Sequence, residues 1–203
     1  MSFSPRTESD DLGDDPFSVL VVCTANVCRS PMAEYLLRDH LRRHLGRDAG
    51  WDWVVRSAGT HVSPGSTTHH LALDVLHERG VPIEGGIAQQ ATGPLLERAD
   101  LILTASRPQR AWVVERCPSA VRRAFTMRQF ARLCRAGRAE LQMTEVRRGA
   151  QLVTAAAAGR ARVQPVAEDD DLIEDPIGHG VDRFRSCADV IESCLADMLG
   201  PPG

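Results

Sequence analysis

The residues best equipped for chemistry gather in one short stretch, Cys23-Thr24-Ala25-Asn26-Val27-Cys28-Arg29-Ser30, which lies between an apolar run and a helix-like segment. If this stretch curls from a strand end into a helix N-terminus, its backbone amides turn inward. Inward amides and the positive helix end make an anion nest, and a guanidinium adding two parallel hydrogen bonds completes it for a phosphate dianion. Arg29 is placed to supply that fork. Cys23 would sit at the focus of the same positive field, where thiols ionise more readily, and Ser30 could donate to its sulfur. A thiolate against a bound phosphate makes one reaction available: in-line attack on phosphorus, forming a cysteinyl-phosphate and expelling an alcohol or phenol. The leaving oxygen then needs a proton and the water of the second step needs a base, so one carboxyl group elsewhere can serve both turns.

Such a loop works only if a strand delivers it and a helix receives it. Ser18 to Cys23 reads SVLVVC, a β-branched run expected of a strand buried on both faces. From Pro31 to His44 the apolar residues Met32, Tyr35, Leu36, Leu37 and Leu41 recur at helical spacing, with Ser30 as N-cap and Pro31 as first helical residue. The alternation continues with a strand at Trp53 to Ser57, a helix at His69 to Arg79 closed by Gly80, and a strand at Asp100 to Thr104. A helix at Arg110 to Arg116, a brief strand at Ala124 to Thr126 and a helix at Arg128 to Arg135 follow. An amphipathic helix carrying Val181, Phe184, Cys187, Ala188, Ile191, Cys194, Leu195 and Met198 closes the chain. This order predicts an α/β fold with a parallel sheet, right-handed crossovers and helices on both faces, whose ligand sits beyond the carboxyl ends of the strands. The Cys23 loop falls at that end.

With 203 residues, 43% of them hydrophobic, the chain can bury one sizeable core and is short for two domains. Residues 1–16, polar and acidic, read as a disordered N-terminal tail, residues 17–200 as the folded domain, and residues 137–171 as a variable insertion, part helix and part mobile. The net charge of -3, from 27 acidic and 24 basic residues, provides no overall field for nucleic acid or membrane. No apolar run approaches the roughly 18 residues of a membrane span, and the expected address is the cytoplasm. Every basic side chain besides histidine is an arginine, which excludes a Walker-type lysine and a Schiff base. Six cysteines are too sparse for a disulfide framework and form no zinc-ligand pattern. No cofactor and no metal are expected.

The segment VLVVCTANVCRSPMAEYLL resembles the signature of the low-molecular-weight protein tyrosine phosphatases, with its Cys-x5-Arg-Ser loop after the first strand. RSAGT at Arg56 to Thr60, ALDVLHERGV at Ala72 to Val81, ADLILT at Ala99 to Thr104 and EDP at Glu174 to Pro176 follow in the family's order. The resemblance implies a three-layer fold with a four-stranded parallel sheet, Cys23 as nucleophile, Arg29 as phosphate clamp and Asp175 as general acid and then base. It also implies that residues 24–30 bind the phosphate, that Asn26 and Ser57 hold the loop's shape, and that Cys28 can form a reversible disulfide with Cys23. The substrate would be a phosphotyrosine protein or a small aryl phosphate. Four places depart from the family's pattern, one of them after the SAGT strand, where His61 and Val62 stand in place of a second cleft aromatic. Ile177 and then Gly178 follow Asp175-Pro176 where an aromatic cleft wall is usual, Ala25 replaces a glycine, and Gly86 stands where many members place a histidine supporting the loop asparagine.

Plainer readings stand beside these. Cys28 could be a small core residue, and Asp175 a turn residue, with Glu174, Asp171 and Asp170 competing for the acid role. Cys187 and Cys194, seven apart on one helical face, read as core, and Cys117 and Cys134 as structural. His69 and His70, as neighbours on a helix, would point apart. Two other functions compete with the phosphatase. One is a thiol-dependent arsenate reductase, which needs a further pair of redox cysteines close together. The other is a phosphate- or phosphoprotein-binding module without turnover, which would leave Asp175 far from Cys23.

Overall fold

The computed structural model describes residues 16–49, 53–137 and 148–200. The segment expected as a disordered tail, apart from Pro16, and residues 138–147 of the expected insertion lie outside the described residues. Four strands form one parallel sheet: β1 (Phe17–Cys23), β2 (Trp53–Gly59), β3 (Leu101–Thr104) and β4 (Ala124–Thr126), in the order β2-β1-β3-β4. The expected α/β sheet is therefore present with four strands. β1 is central because its Val19–Cys23 run is buried on both sides. Alternation sends Val19, Val21 and Cys23 into one core and Leu20 and Val22 into the other.

The first core is covered by α1 (Arg29–Ala49), α2 (His70–Glu78), α5 (Met127–Gly137), α6 (Arg148–Gly159) and α7 (Val181–Leu199). The second core lies under α3 (Gly93–Arg98) and α4 (Arg107–Arg116). The chain leaves β1 for β2 on one side and later returns to β3 on the other, so the topological switch falls at the end of β1, where α/β sheets place ligands. Cys23 is the last residue of that strand.

Several boundaries differ from the sequence expectation. α1 begins at Arg29 rather than Pro31 and runs to Ala49, and β2 continues to Gly59. The short α3 has no periodic pattern to announce it. Within the expected insertion, α6 packs Leu152 and Ala156 into the core and brings Gly149 onto β1. A Cβ on Gly149 would stand 2.5 Å from the Phe17 ring, so the close approach requires glycine. Among the described residues no helix is long and apolar enough to cross a membrane.

Candidate active site

Between β1 and α1 the chain makes a tight turn, and four carbonyls along it accept backbone N–H groups from outside the turn. Thr60 N–H donates to Cys23 O at 2.9 Å, His61 N–H to Thr24 O at 2.8 Å, His69 N–H to Val27 O at 2.8 Å and Met32 N–H to Cys28 O at 3.0 Å. These bonds hold the turn in a fixed curl, and Asn26 N–H is directed to Cys23 Sγ, a backbone setting in which an anion nest can form. Asn26 takes a left-handed backbone, φ +56, and Ala25 does not, so alanine meets no conformational penalty in the glycine's place. The back of the loop is closed by Gly59, where a Cβ would come within 2.6 Å of Thr24 O.

Cys23 is buried, and its Sγ lies 2.9 Å from Ser30 Oγ and receives Asn26 N–H at 3.3 Å. The expectation that Ser30 caps α1 is corrected. The helix already includes Ser30, Cys28 O takes the cap's first bond, and the hydroxyl is occupied at the sulfur instead. Asn26 accepts Gln89 N–H at 2.7 Å and donates to Ser30 Oγ at 2.8 Å and Ser57 Oγ at 2.9 Å. The backbone of Gln89 thus supports the asparagine, while Gly86 bonds only through its carbonyl to Thr68 N–H. Thr24, exposed at the loop's rim, accepts from Gln109 of α4 at 3.0 Å, and Ala25 and Val27 are half-buried.

Arg29, the first residue of α1, is 7% exposed and forms an ion pair with Asp175. Its Nη1 donates to Ile173 O at 3.3 Å, and its buried Nε has no protein partner. Asp175 reaches the loop because the segment before it is staked to the sheet. Ile173 N–H donates to Ala105 O at 2.8 Å, and Arg128 donates to Leu172 O at 3.2 Å. Buried Asp171 accepts from Arg107 at 2.7 Å and Arg132 at 2.6 Å, and exposed Glu174 pairs with Arg183. Asp171 and Glu174 are therefore committed elsewhere, and Asp170 is exposed. Of the four carboxylates, Asp175 is the one held against Arg29.

Burial, reinforced by the negative charge of Asp175 and by Cys23, pushes the Cys28 thiol up to about 12. Cys187 on α7 is likewise pushed up to about 12, first by burial, and it feels Arg29, Asp175 and Cys23. It is core, as expected, and also borders the site. The His69 and His70 rings, expected to point apart, stack at 4.5 Å because His69 is the extended N-cap of α2 rather than part of it. Among the described residues no group of three or more His, Cys, Asp or Glu is placed to hold a metal ion.

Sequence reasoning missed Glu34, which accepts the Ser57 hydroxyl, and Arg38, which pairs with Glu34. Helical spacing was the available signal, since Glu34 lies four residues after Ser30 and four before Arg38. Gln89 and Gly59 act through backbone geometry, which no side-chain pattern announces. The assembled groups suit one kind of chemistry: an oxyanion held by loop amides and a guanidinium, with a thiol on one side and a carboxyl group on the other.

The chain is similar to known proteins in both sequence and fold. The family described as low molecular weight phosphotyrosine protein phosphatase is matched by residues 18–145. A protein named "Probable low molecular weight protein-tyrosine-phosphatase EpsP" from Ralstonia solanacearum is 39% identical over 116 residues, covering 56% of this chain and 74% of that one. A protein-arginine-phosphatase from Bacillus subtilis strain 168 is 32% identical over 113 residues, covering 55% and 71%. The solved low molecular weight phosphotyrosine phosphatase from Vibrio cholerae O395 superposes with a TM-score of 0.64 at 26% identity, over 90% of this chain and 94% of that one. By sequence and by fold together, this chain belongs to the low molecular weight phosphotyrosine protein phosphatase family.

Proposed function

We propose that the chain is a metal-independent, cysteine-dependent phosphatase that hydrolyses phosphotyrosine in proteins or small aryl phosphate monoesters, with Cys23 as nucleophile, Arg29 as clamp and Asp175 as acid and base. The observation that carries this reading is the placement of Cys23 Sγ, 2.9 Å from Ser30 Oγ, in the same loop whose arginine is paired with Asp175.

Substrate phosphate enters the turn of residues 24–30 and takes the Arg29 hydrogen bonds, which frees the Asp175 carboxyl group. The Cys23 thiolate attacks phosphorus, the ester P–O bond breaks, and Asp175 delivers a proton to the departing oxygen. Asp175 then removes a proton from water, whose oxygen attacks the cysteinyl-phosphate. The S–P bond breaks, inorganic phosphate leaves, and Ser30 stabilises the returning thiolate. Asn26 and Ser57 keep the loop's shape.

The arsenate reductase reading lacks its second thiol pair. All six cysteines are buried, and Cys117 and Cys134 lie in the two different cores on opposite faces of the sheet. The binding-module reading required Asp175 to lie away from the site, whereas it pairs with the loop's own arginine. Six cysteines kept as thiols fit a reducing compartment, and we place the protein in the cytoplasm.

The test is hydrolysis of para-nitrophenyl phosphate with a chelator present, by wild type and Cys23→Ser, alongside phosphotyrosine, phosphoserine and phosphoarginine peptides. The expected result is chelator-resistant activity, highest on phosphotyrosine, that vanishes in the variant. Activity retained by Cys23→Ser would overturn the nucleophile, and preference for the phosphoarginine peptide would overturn the substrate class.

A further inference from the structure

Just past α6, within the expected insertion, Arg160 lays its guanidinium 3.9 Å from the centre of the Phe125 ring and donates to Val121 O at 2.7 Å and Ala124 O at 2.6 Å. Arg110 on α4 donates to the same two carbonyls, at 3.4 and 2.8 Å. Two like charges therefore share one pair of acceptors, and among the described residues neither is paired with a carboxylate. Burial first, and then the charge of Arg110, push the Arg160 guanidinium down to about 10. A cation taken out of water ordinarily has an anionic partner.

Arg160 lines a cleft of about 250 Å³ together with Arg107, Arg132, Gln129, Gln164 and Asp171. Asp171, the one carboxylate on the lining, is buried and already divided between Arg107 and Arg132. Three guanidiniums against one carboxylate leave two positive charges unmatched. The neighbouring Glu168, Asp169 and Asp170 are exposed, and Arg107 and Arg132 meet that stretch through the Ala167 and Asp170 carbonyls, not through its side chains. Donors also remain. Arg107 donates from Nε to Asp171 and from Nη2 to the Val166 and Ala167 carbonyls, and its Nη1 has no protein acceptor among the described residues. Arg132 Nε and Arg160 Nε are buried with no partner, as is Gln129 Oε1, on an amide that can present either end.

Planar guanidiniums match the oxygens of a phosphate group, and the cleft is smaller than the roughly 300–1,000 Å³ of sites for drug-sized ligands. We propose that this cleft, between α5 and the segment after α6, is a second anion site that takes one phosphate dianion, free or at the end of a small ester, held by Arg107, Arg132 and Arg160. The dianion supplies the two missing negative charges. No lining residue belongs to the Cys23 loop, so the site is separate from the candidate active site and stands independently of the phosphatase reading.

The test is calorimetric titration of inorganic phosphate into the full chain at low ionic strength, where salt screens the arginines least. Wild type should bind two phosphates, and Arg29→Met, which removes the clamp of the Cys23 loop, should still bind one. In that background Arg160→Gln should weaken the remaining phosphate roughly tenfold to a hundredfold, the scale of hydrogen bonds to a charged group. Arg160 also packs on Phe125, so Gln164→Glu provides a second reading. That exposed lining residue adds a negative charge to the cleft without removing a hydrogen bond, and binding should weaken in the same direction. Methyl phosphate titrated alongside separates the sources, since tighter binding of the ester assigns the site to a phosphomonoester and the reverse assigns it to the free ion. No phosphate on Arg29→Met would overturn the proposal. So would an affinity that neither substitution changes, which would mean an adventitious ion only. If wild type hydrolyses no ester, the phosphatase reading fails, and the titration of Arg29→Met still decides the second site.

Discussion

Arg29 and Asp175, 146 residues apart in sequence, form an ion pair at the phosphate loop. The two residues proposed as clamp and acid therefore hold each other, and we expect an oxyanion to take the arginine from the carboxylate. Asp175 is 41% exposed and Arg29 is 7% exposed, so the carboxylate is the partner that can withdraw to solvent. Replacing Asp175 with Asn weakens this competition. We expect Asp175→Asn to bind phosphate several-fold more tightly than wild type while turning over more slowly, with the largest losses on esters of poor leaving groups, which need the proton most. Arg29→Lys loses both binding and turnover, because an ammonium lacks the planar fork. Phosphate inhibition constants and a leaving-group series on the two variants check this; equal losses across leaving groups would point to another acid.

Asp171 is the anchor of the acid loop. It is buried, and its two oxygens are divided between Arg107 and Arg132. Removing one partner of a buried ion pair costs about 3–5 kcal/mol. Arg107 is 40% exposed and can rehydrate, so for Asp171→Ala we expect the lower end of that range, about 3 kcal/mol, by urea unfolding. Activity falls too, because Ile173 and Asp175 follow directly on the freed segment. Full activity with the lost stability would show that Ala105 O alone holds the loop.

The strand, turn and helix around Cys23 were legible because they are local. A buried β-branched run precedes the turn, a helical period follows it, and Cys23, Arg29 and Ser30 lie within eight residues. Asp175 was named by its resemblance to a family pattern, and only the tertiary structure separates it from Asp171, Asp170 and Glu174. Apart from Glu34 and Arg38, whose helical spacing was a signal, what escaped had none in its residue types. Gln89 contributes a backbone N–H, Gly59 the lack of a side chain, and α3 is a single turn and a half without a period. Ser30 was misplaced as a cap because a serine before proline suits both roles, and only the short distance to Cys23 Sγ shows which one it fills. His69 and His70 were expected to diverge as helical neighbours, but the extended backbone of His69 as N-cap removes that premise.

His69 makes the fold sensitive to mild acid. Burial first, and then the neighbouring His70, hold its imidazole below the ordinary value of 6.5, and its Nδ1 accepts Leu71 N–H at 3.2 Å as the cap of α2. A depressed folded value means that the unfolded chain binds the proton more readily. The contribution is therefore present above pH 6.5 and is lost as the pH falls through the lower folded value. A helix cap is worth about 1 kcal/mol, so we expect wild type to lose up to that amount relative to His69→Asn between neutral pH and the folded value. Parallel stability curves for the two proteins would refute this.

Oxidation separates the two loop cysteines. With its thiol pushed up to about 12, Cys28 stays protonated at neutral pH and is a poor target for peroxide. We expect peroxide to convert Cys23 to the sulfenic acid. The Cys28 sulfur would then displace hydroxide from it, and water would leave as the Cys23–Cys28 disulfide formed. Wild type should recover its activity with dithiothreitol after peroxide treatment, whereas Cys28→Ser should pass to the irreversible sulfinic acid. Equal recovery in both would remove Cys28 from the redox chemistry.

Gly59 closes the loop from behind, and its replacement tests whether loop shape or loop composition governs turnover. A Cβ there would meet Thr24 O at 2.6 Å, Val62 Cγ2 at 2.7 Å and Ala25 C at 2.9 Å. Val62 can swing aside, but the other two atoms belong to the backbone of the phosphate loop, so the loop itself must shift. Tight active-site geometry loses on the order of a hundredfold in rate for a displacement of about 1 Å. We therefore expect Gly59→Ala to lower kcat on that scale and to weaken phosphate binding, even though it leaves every residue of the loop in place. Gly93, with nothing within 4 Å of its Cβ position, is the control: Gly93→Ala should leave both unchanged. Wild-type kinetics in Gly59→Ala would mean that the loop yields without cost, and that its fixed shape contributes little to the chemistry at Cys23.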